Sequence, residues 1–97
     1  MPVTLTPRER KALKGRAHAL DPVVQIGHAG ATPRLTAEVE RALTAHELIK
    51  VKINDDDRDA RHALGDTLAA AVDAAIVGRV GKIVMLWRPR PEDDDTQ

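Results

Sequence analysis

The stretch from Val23 to Ile53 constrains the fold more than any other part of the chain. It reads as a short apolar run (Val23-Val24-Gln25-Ile26), a glycine-flanked turn (Gly27-His28-Ala29-Gly30), a helix, and a second run, Leu48-Ile49-Lys50-Val51-Lys52-Ile53. Thr32 is placed to cap the helix and Pro33 to fill its first position, where a missing N–H costs nothing. Leu35, Val39 and Leu43 fall at i, i+4 and i+8 and give the helix one apolar face. In the second run, opened by Glu47, alternation sends Ile49, Val51 and Ile53 to one face and Lys50 and Lys52 to the other. Two such strands joined through a helix are expected to lie side by side and parallel, because that crossover is almost always right-handed.

The flanking sequence completes the pattern. Thr6-Pro7-Arg8-Glu9 carries a cap, a first-position proline and the acid of a capping box. Leu13, Ala17 and Leu20 then form an apolar side opposite Arg10, Lys11, Lys14 and Arg16. Asp21-Pro22 ends that helix, since the residue before proline avoids helical angles. Asn54-Asp55-Asp56-Asp57 starts a third helix, with Leu64, Leu68, Ala71, Val72 and Ala75 expected inward. Ile76 to Val80 and Ile83 to Arg88 flank the Gly81-Lys82 turn and read as a strand pair stopped by Pro89 and Pro91. The order α-β-α-β-α-β-β predicts an α/β fold with a four-stranded mixed sheet. Its 97 residues make one domain, residues 1–91, followed by an acidic tail, 92–97, expected to be disordered.

Formal charge is zero, but its distribution is uneven. Residues 1–52 hold nine Lys and Arg against five acids, and residues 53–97 hold six against ten, four of those in the tail. The folded part is therefore basic, a reason to look for a polyanion. The chain has no cysteine, which removes disulfides and thiolate metal sites and makes the cytoplasm the expected location. The first residues carry no apolar core or cleavage site of a secretory signal, and no run is long enough to suggest a membrane span. Four histidines stand at 18, 28, 46 and 62 without metal-ligand spacing, and no nucleophile–base pair is visible. Neither an enzyme, a metal nor a cofactor is expected.

The Gly27–Gly30 turn is the sharpest functional feature. Glycines let the backbone approach a ligand closely, and the turn feeds a helix N-terminus that favours anions. Arg34 stands in the first turn of that helix. The same pattern also describes an ordinary strand-to-helix turn, and a second copy, Gly78-Arg79-Val80-Gly81, lies between strands with no helix behind it. There Gly78 reads as a bulge or close contact and Gly81 as a turn. Lys11, Lys14, Arg16, Lys50 and Lys52 form either a phosphate-contacting surface or a solvated basic face. Gly15, inside the first helix, costs about 1 kcal/mol relative to alanine, so a ligand or a neighbouring element is expected to approach it. Trp87 is the only aromatic residue, so no platform for stacking bases can be built.

Leu13-Lys14-Gly15-Arg16-Ala17-His18, Pro22 to Gly30, Ala42-Leu43 and His46-Glu47-Leu48-Ile49-Lys50-Val51-Lys52 resemble the CRM domain, most closely its bacterial single-domain YhbY-like members. Gly81-Lys82 through Trp87-Arg88-Pro89 resembles the last hairpin of that family, so the likeness covers roughly residues 5 to 90. It implies a fold similar to the C-terminal domain of translation initiation factor three and an RNA-binding role on precursors of the large ribosomal subunit. It also implies an RNA surface at Gly27, His28, Ala29 and Gly30, with Lys14, Arg16, Lys50 and Lys52 beside it. His28-Ala29 replaces a pair that is often basic or polar, and Trp87 replaces a common tyrosine. The expectation is a monomeric accessory factor that contacts ribosomal RNA. The alternative is an interaction module whose basic face meets an acidic protein.

Overall fold

A computed structural model describes residues 5–27 and 30–89. His28, Ala29 and the acidic tail lie outside the described residues. The elements follow in the order α1 (Pro7–Ala17), β1 (Pro22–Ile26), α2 (Pro33–His46), β2 (Leu48–Ile53), α3 (Arg58–Ala71), β3 (Ala75–Val80) and β4 (Ile83–Trp87). They build one mixed sheet in the order β1-β2-β4-β3. β1 and β2 are parallel, while β4 pairs antiparallel with both β2 and β3. The α/β class and the four-stranded mixed sheet are as the periodicities predict.

Helices cover both faces of the sheet. On one face Val39 and Leu43 of α2 and Leu68 and Ala69 of α3 pack on Ile49, Val51, Ile53, Val84 and Leu86. Each fully buried aliphatic side chain of this kind contributes about 1.5–3 kcal/mol. On the other face Leu5, Leu13 and Ala17 meet Leu48, Ala75, Val77 and Met85, with Trp87 at the margin. Trp87 thus takes a packing role.

The local signals act as their chemistry requires. Thr6 accepts from the Glu9 N–H (3.1 Å) while Glu9 accepts from the Thr6 N–H (2.9 Å), closing the capping box. Thr32 caps α2 through the Leu35 N–H, and Asp57 caps α3 through the Asp59 N–H. Gly81 turns the β3–β4 hairpin at φ +57°. A register shift between Ile76 and Gly78 makes the bulge expected at Gly78.

Four expectations change. Leu20 lies beyond the end of α1 and is 37% exposed. α1 stops at Ala17 with His18 as its C-cap, so no further turn carries Leu20 inward. Ala71, the last residue of α3, is exposed. Ala75 belongs to β3 and is buried on the α1 face, because the chain turns at Val72 and Asp73 (φ 55°). Glu47 is the C-cap of α2, at φ 65°, rather than the opening of β2. Its carbonyl takes the Arg88 N–H (3.0 Å), which ties the end of α2 to the end of β4.

Arg88 extends that tie. Its side chain, 14% exposed, donates to the Glu40 carboxylate (2.9 Å), the Val72 carbonyl (2.9 Å) and the Thr44 hydroxyl (3.0 Å). One guanidinium therefore joins α2, the end of α3 and β4. Arg88→Ala is expected to lower stability by about 2–3 kcal/mol, the scale of hydrogen bonds to a charged group. Arg88→Lys should recover only part of this, because an ammonium lacks the planar fork. Gly65 in α3 offers the opposite change. A methyl there would meet Val84 Cγ2 at 3.7 Å and Ile53 Cδ1 at 3.9 Å, ordinary contact distances. Gly65→Ala should raise stability by about 1 kcal/mol through helix propensity. Urea unfolding of the three variants checks both expectations.

Candidate nucleic-acid interface

α1 lies chiefly over β3, β4 and β2. β1, the edge strand, keeps Val24 and Ile26 buried toward α2 while Val23 and Gln25 stay exposed. On this uncovered strip the partners in register are Gln25 and Lys52, and Pro22 and Lys50. The two lysines are half-buried, with their ammonium groups on the α1 side of the sheet, where Lys50 stands opposite Met85. Lys50 Nζ donates to the Leu20 carbonyl (2.9 Å), so part of its hydrogen-bonding capacity holds the α1–β1 connection. Lys52 has no such bond among the described residues and stands beside Gln25, whose amide faces Asn54 Nδ2 at 3.5 Å.

The strip ends at the glycine turn. The Gly30 N–H donates to the Gly27 carbonyl (3.1 Å), and Gly30 has φ +74°, a conformation natural to glycine. At the start of α2 most N–H groups are used. Thr32 donates to the Gly30 carbonyl, Pro33 has no N–H, the Leu35 N–H bonds the Thr32 hydroxyl and the Thr36 N–H bonds its carbonyl. Among the described residues this leaves the Arg34 N–H as the open donor of the first turn. The Arg34 side chain is 91% exposed and lies 3.9 Å from Glu38, a contact of little energy.

The basic residues singled out in the sequence divide between two flanks of α1. Arg16 faces the β1 side, where it lines a cleft of about 330 Å³ with Leu20, Val23, His46 and Leu48. Lys14 goes the other way and lays its stem over Gly78 of β3. A Cβ on Gly78 would come within 2.8 Å of Lys14 Cε, which is the close contact that glycine permits. Lys11, three residues earlier on the helix, shares the Lys14 flank. The structure therefore gathers Arg16, Lys50, Lys52 and Gly27 on one side of α1 and sets Lys11 and Lys14 on the other. Arg34 stands at the loop end of the sheet, in the opposite helical layer. Gln25, Asn54 and the cleft were missed in the sequence. The outward position of Val23 in the strand alternation was the available signal.

Residues 5–88 match the CRS1/YhbY (CRM) domain family. The chain belongs to this family. It is 42% identical over 89 residues to an RNA-binding protein of Haemophilus influenzae, covering 92% of this chain and 90% of that one. It is 40% identical over 90 residues to a protein of Pseudomonas aeruginosa named as a probable RNA-binding protein, covering 93% and 86%. The solution structure of a hypothetical protein of Staphylococcus aureus, a candidate RNA-binding protein, superposes with a TM-score of 0.82 at 29% identity, covering 93% of this chain and 94% of that one. These relatives are named for binding rather than for catalysis. Among the described residues there is no group of three or more metal-ligating side chains, and no helix is long and apolar enough to cross a membrane.

Gly15 stands on the exposed surface of α1, and apart from its own helix no atom lies within 4 Å of where its Cβ would be. No neighbouring element explains the glycine. Gly15→Ala is expected to raise stability by about 1 kcal/mol, the ordinary helical gain, in urea unfolding. A loss would mean that the helix is strained at this point.

Proposed function

We propose that the protein binds structured RNA through the uncovered strip of β1 and β2 and the adjoining glycine turn. It acts as a monomeric accessory factor in large ribosomal subunit assembly in the cytoplasm. The observation that carries the reading is the placement of Lys52 and Lys50 of β2 and Arg16 of α1 beside β1, at the edge of the sheet that ends at Gly27. Phosphates can run beside such an edge and neutralise its charge. The Gly27-His28-Ala29-Gly30 turn and Arg34 receive a phosphate at the start of α2, where the dipole and the Arg34 N–H favour an anion. Lys11 and Lys14 extend the contact around the far flank of α1. Trp87 is the sole aromatic residue and packs beside α1, so backbone and shape dominate over base stacking. RNA-binding relatives across nearly the full length support the nature of the partner. The ribosomal target rests on the family resemblance alone. Crosslinking in cells followed by sequencing of the attached RNA tests it. Recovery of messenger RNA instead of large-subunit precursors would reject the target. Complexes that survive nuclease and contain an acidic protein would favour the interaction-module reading.

With about five phosphate contacts, affinity should fall with salt at a log–log slope of −3 to −4, from roughly −0.7 per contact on single strands. Lys52→Ala should flatten that slope by nearly one contact. Lys50→Ala should flatten it less, because its ammonium already serves the Leu20 carbonyl. Ala29→Asp should weaken binding by about 1 kcal/mol or more through repulsion of the phosphate. Its folding stability should hold, since an acid is favourable near a helix N-terminus. Arg79→Asp in the second glycine pair is the control, with a smaller loss expected. Fluorescence anisotropy over a salt series and thermal melts measure all four, and equal losses for the two aspartates would leave the loop without a special role.

A further inference from the structure

The cleft between the end of α1, the start of β1 and the end of α2 has an apolar construction that, Arg16 at its mouth apart, the proposed phosphate contacts do not use. Its floor is apolar, with Leu48 at 3% exposure, and its walls include Leu20 and Val23. Among the described residues only Leu20, Val23 and Val80 are large apolar side chains left exposed, so two of the three flank this one opening. Around the mouth stand Arg16, Asp21 and His46. No hydrogen bond or ion pair with a described residue engages their side chains. A volume of about 330 Å³ sits at the small end of the roughly 300–1,000 Å³ typical of small-ligand sites.

We propose that this cleft takes an unpaired guanine base of the bound RNA. The inference rests on the RNA-binding reading and deepens it. The cleft opens at the N-terminal end of β1, and the glycine turn lies at the C-terminal end. Five residues separate them, about 16 Å at the usual rise per residue. Lys50 and Lys52 lie along the way, so a strand that follows β1 passes the opening. A flat base slides between aliphatic walls as it does between aliphatic side chains in base-flipping pockets, which supplies stacking where the chain has no aromatic platform.

Asp21 decides which base. An unpaired carboxylate beside a phosphate strand repels it, and donors on a bound base that meet the carboxylate offset the repulsion. Guanine alone presents two adjacent donors on its Watson–Crick edge, N1–H and the N2 amino group, matching the two carboxylate oxygens. Adenine, cytosine and uracil each present one donor beside an acceptor there. Arg16, planar and always charged, takes the phosphate of the same nucleotide. The His46 imidazole stands at the rim and donates toward the base carbonyl.

The test uses the full chain and four labelled twelve-nucleotide RNAs. One is all uridine, and the others carry a single central guanosine, inosine or adenosine. The guanosine strand should bind about tenfold more tightly than the others, including inosine, which lacks only the N2 amino group. Asp21→Asn should erase that preference while affinity for the uridine strand holds or rises. Amide resonances of residues 20, 21, 23 and 46–49 should shift with the guanosine strand and not with uridine. Equal affinity for all four strands, or a guanosine preference that survives Asp21→Asn, overturns the guanine site. If all four bind equally but still respond to salt and to Lys52→Ala, the RNA-binding strip stands and the cleft is empty of bases. If no strand binds even at low salt, the guanine site is overturned, and a folded ribosomal RNA fragment in the same assay decides the RNA reading, which fails if that fragment also stays free.

Discussion

β2 must serve three neighbours at once, and the rest of the structure is arranged around how its six residues divide among them. It hydrogen-bonds to β1 on one edge and β4 on the other. Ile49, Val51 and Ile53 point into the layer under α2 and α3, while Leu48 alone fills the layer under α1. Lys50 and Lys52 share the Leu48 face but lie where α1 no longer covers the sheet. A slip of one residue would exchange the faces, burying two ammonium groups in the larger core and exposing three β-branched side chains. The register is therefore held by hydrophobic burial and by the cost of desolvating charge together. That same register positions the basic strip.

Zero net charge conceals a directional field. Two acids of the second half are tied to cations there, Asp66 to Arg79 and Asp56 to Lys82. These pairs contribute little to stability on an exposed surface, but they neutralise the cations near the β3–β4 turn. On the β1 side, Arg16 and Lys52 have no acidic partner among the described residues. Cations that face solvent without a counter-charge are the ones able to exchange bound ions for a polyanion. Lys50 shows how one residue can serve fold and surface together, since its stem crosses the strip and its head holds the Leu20 carbonyl.

Much of the fold was legible because the deciding chemistry is local. Thr6, Thr32 and Asp57 announce helix starts within three residues of the N–H groups they satisfy. The alternation in β2 and the i, i+4, i+8 spacing in α2 name buried faces without knowledge of what covers them. Leu20 and Ala75 were harder. Both continue a helical spacing by one step after the helix has ended, and neither end, at Ala17 or Ala71, carries a proline or glycine to announce it.

The sequence by itself determined the element order, the strand faces, the glycine turn before a capped helix, and the family. All of these depend on residues near one another in the chain or on pattern. Only the tertiary structure decided that Lys14 and Arg16, two residues apart on α1, face opposite flanks. The helix sits on β3 and β4 through Leu13 and Ala17, and two positions along a helix differ by about 200° in direction. Only packing placed Lys14 over Gly78, left the outer face of β1 uncovered, and opened a cleft from residues 16 to 49. Burial of Leu13 and Ala17 against Val77 and Met85 fixes where the helix lies, and no residue in the strip itself records that choice.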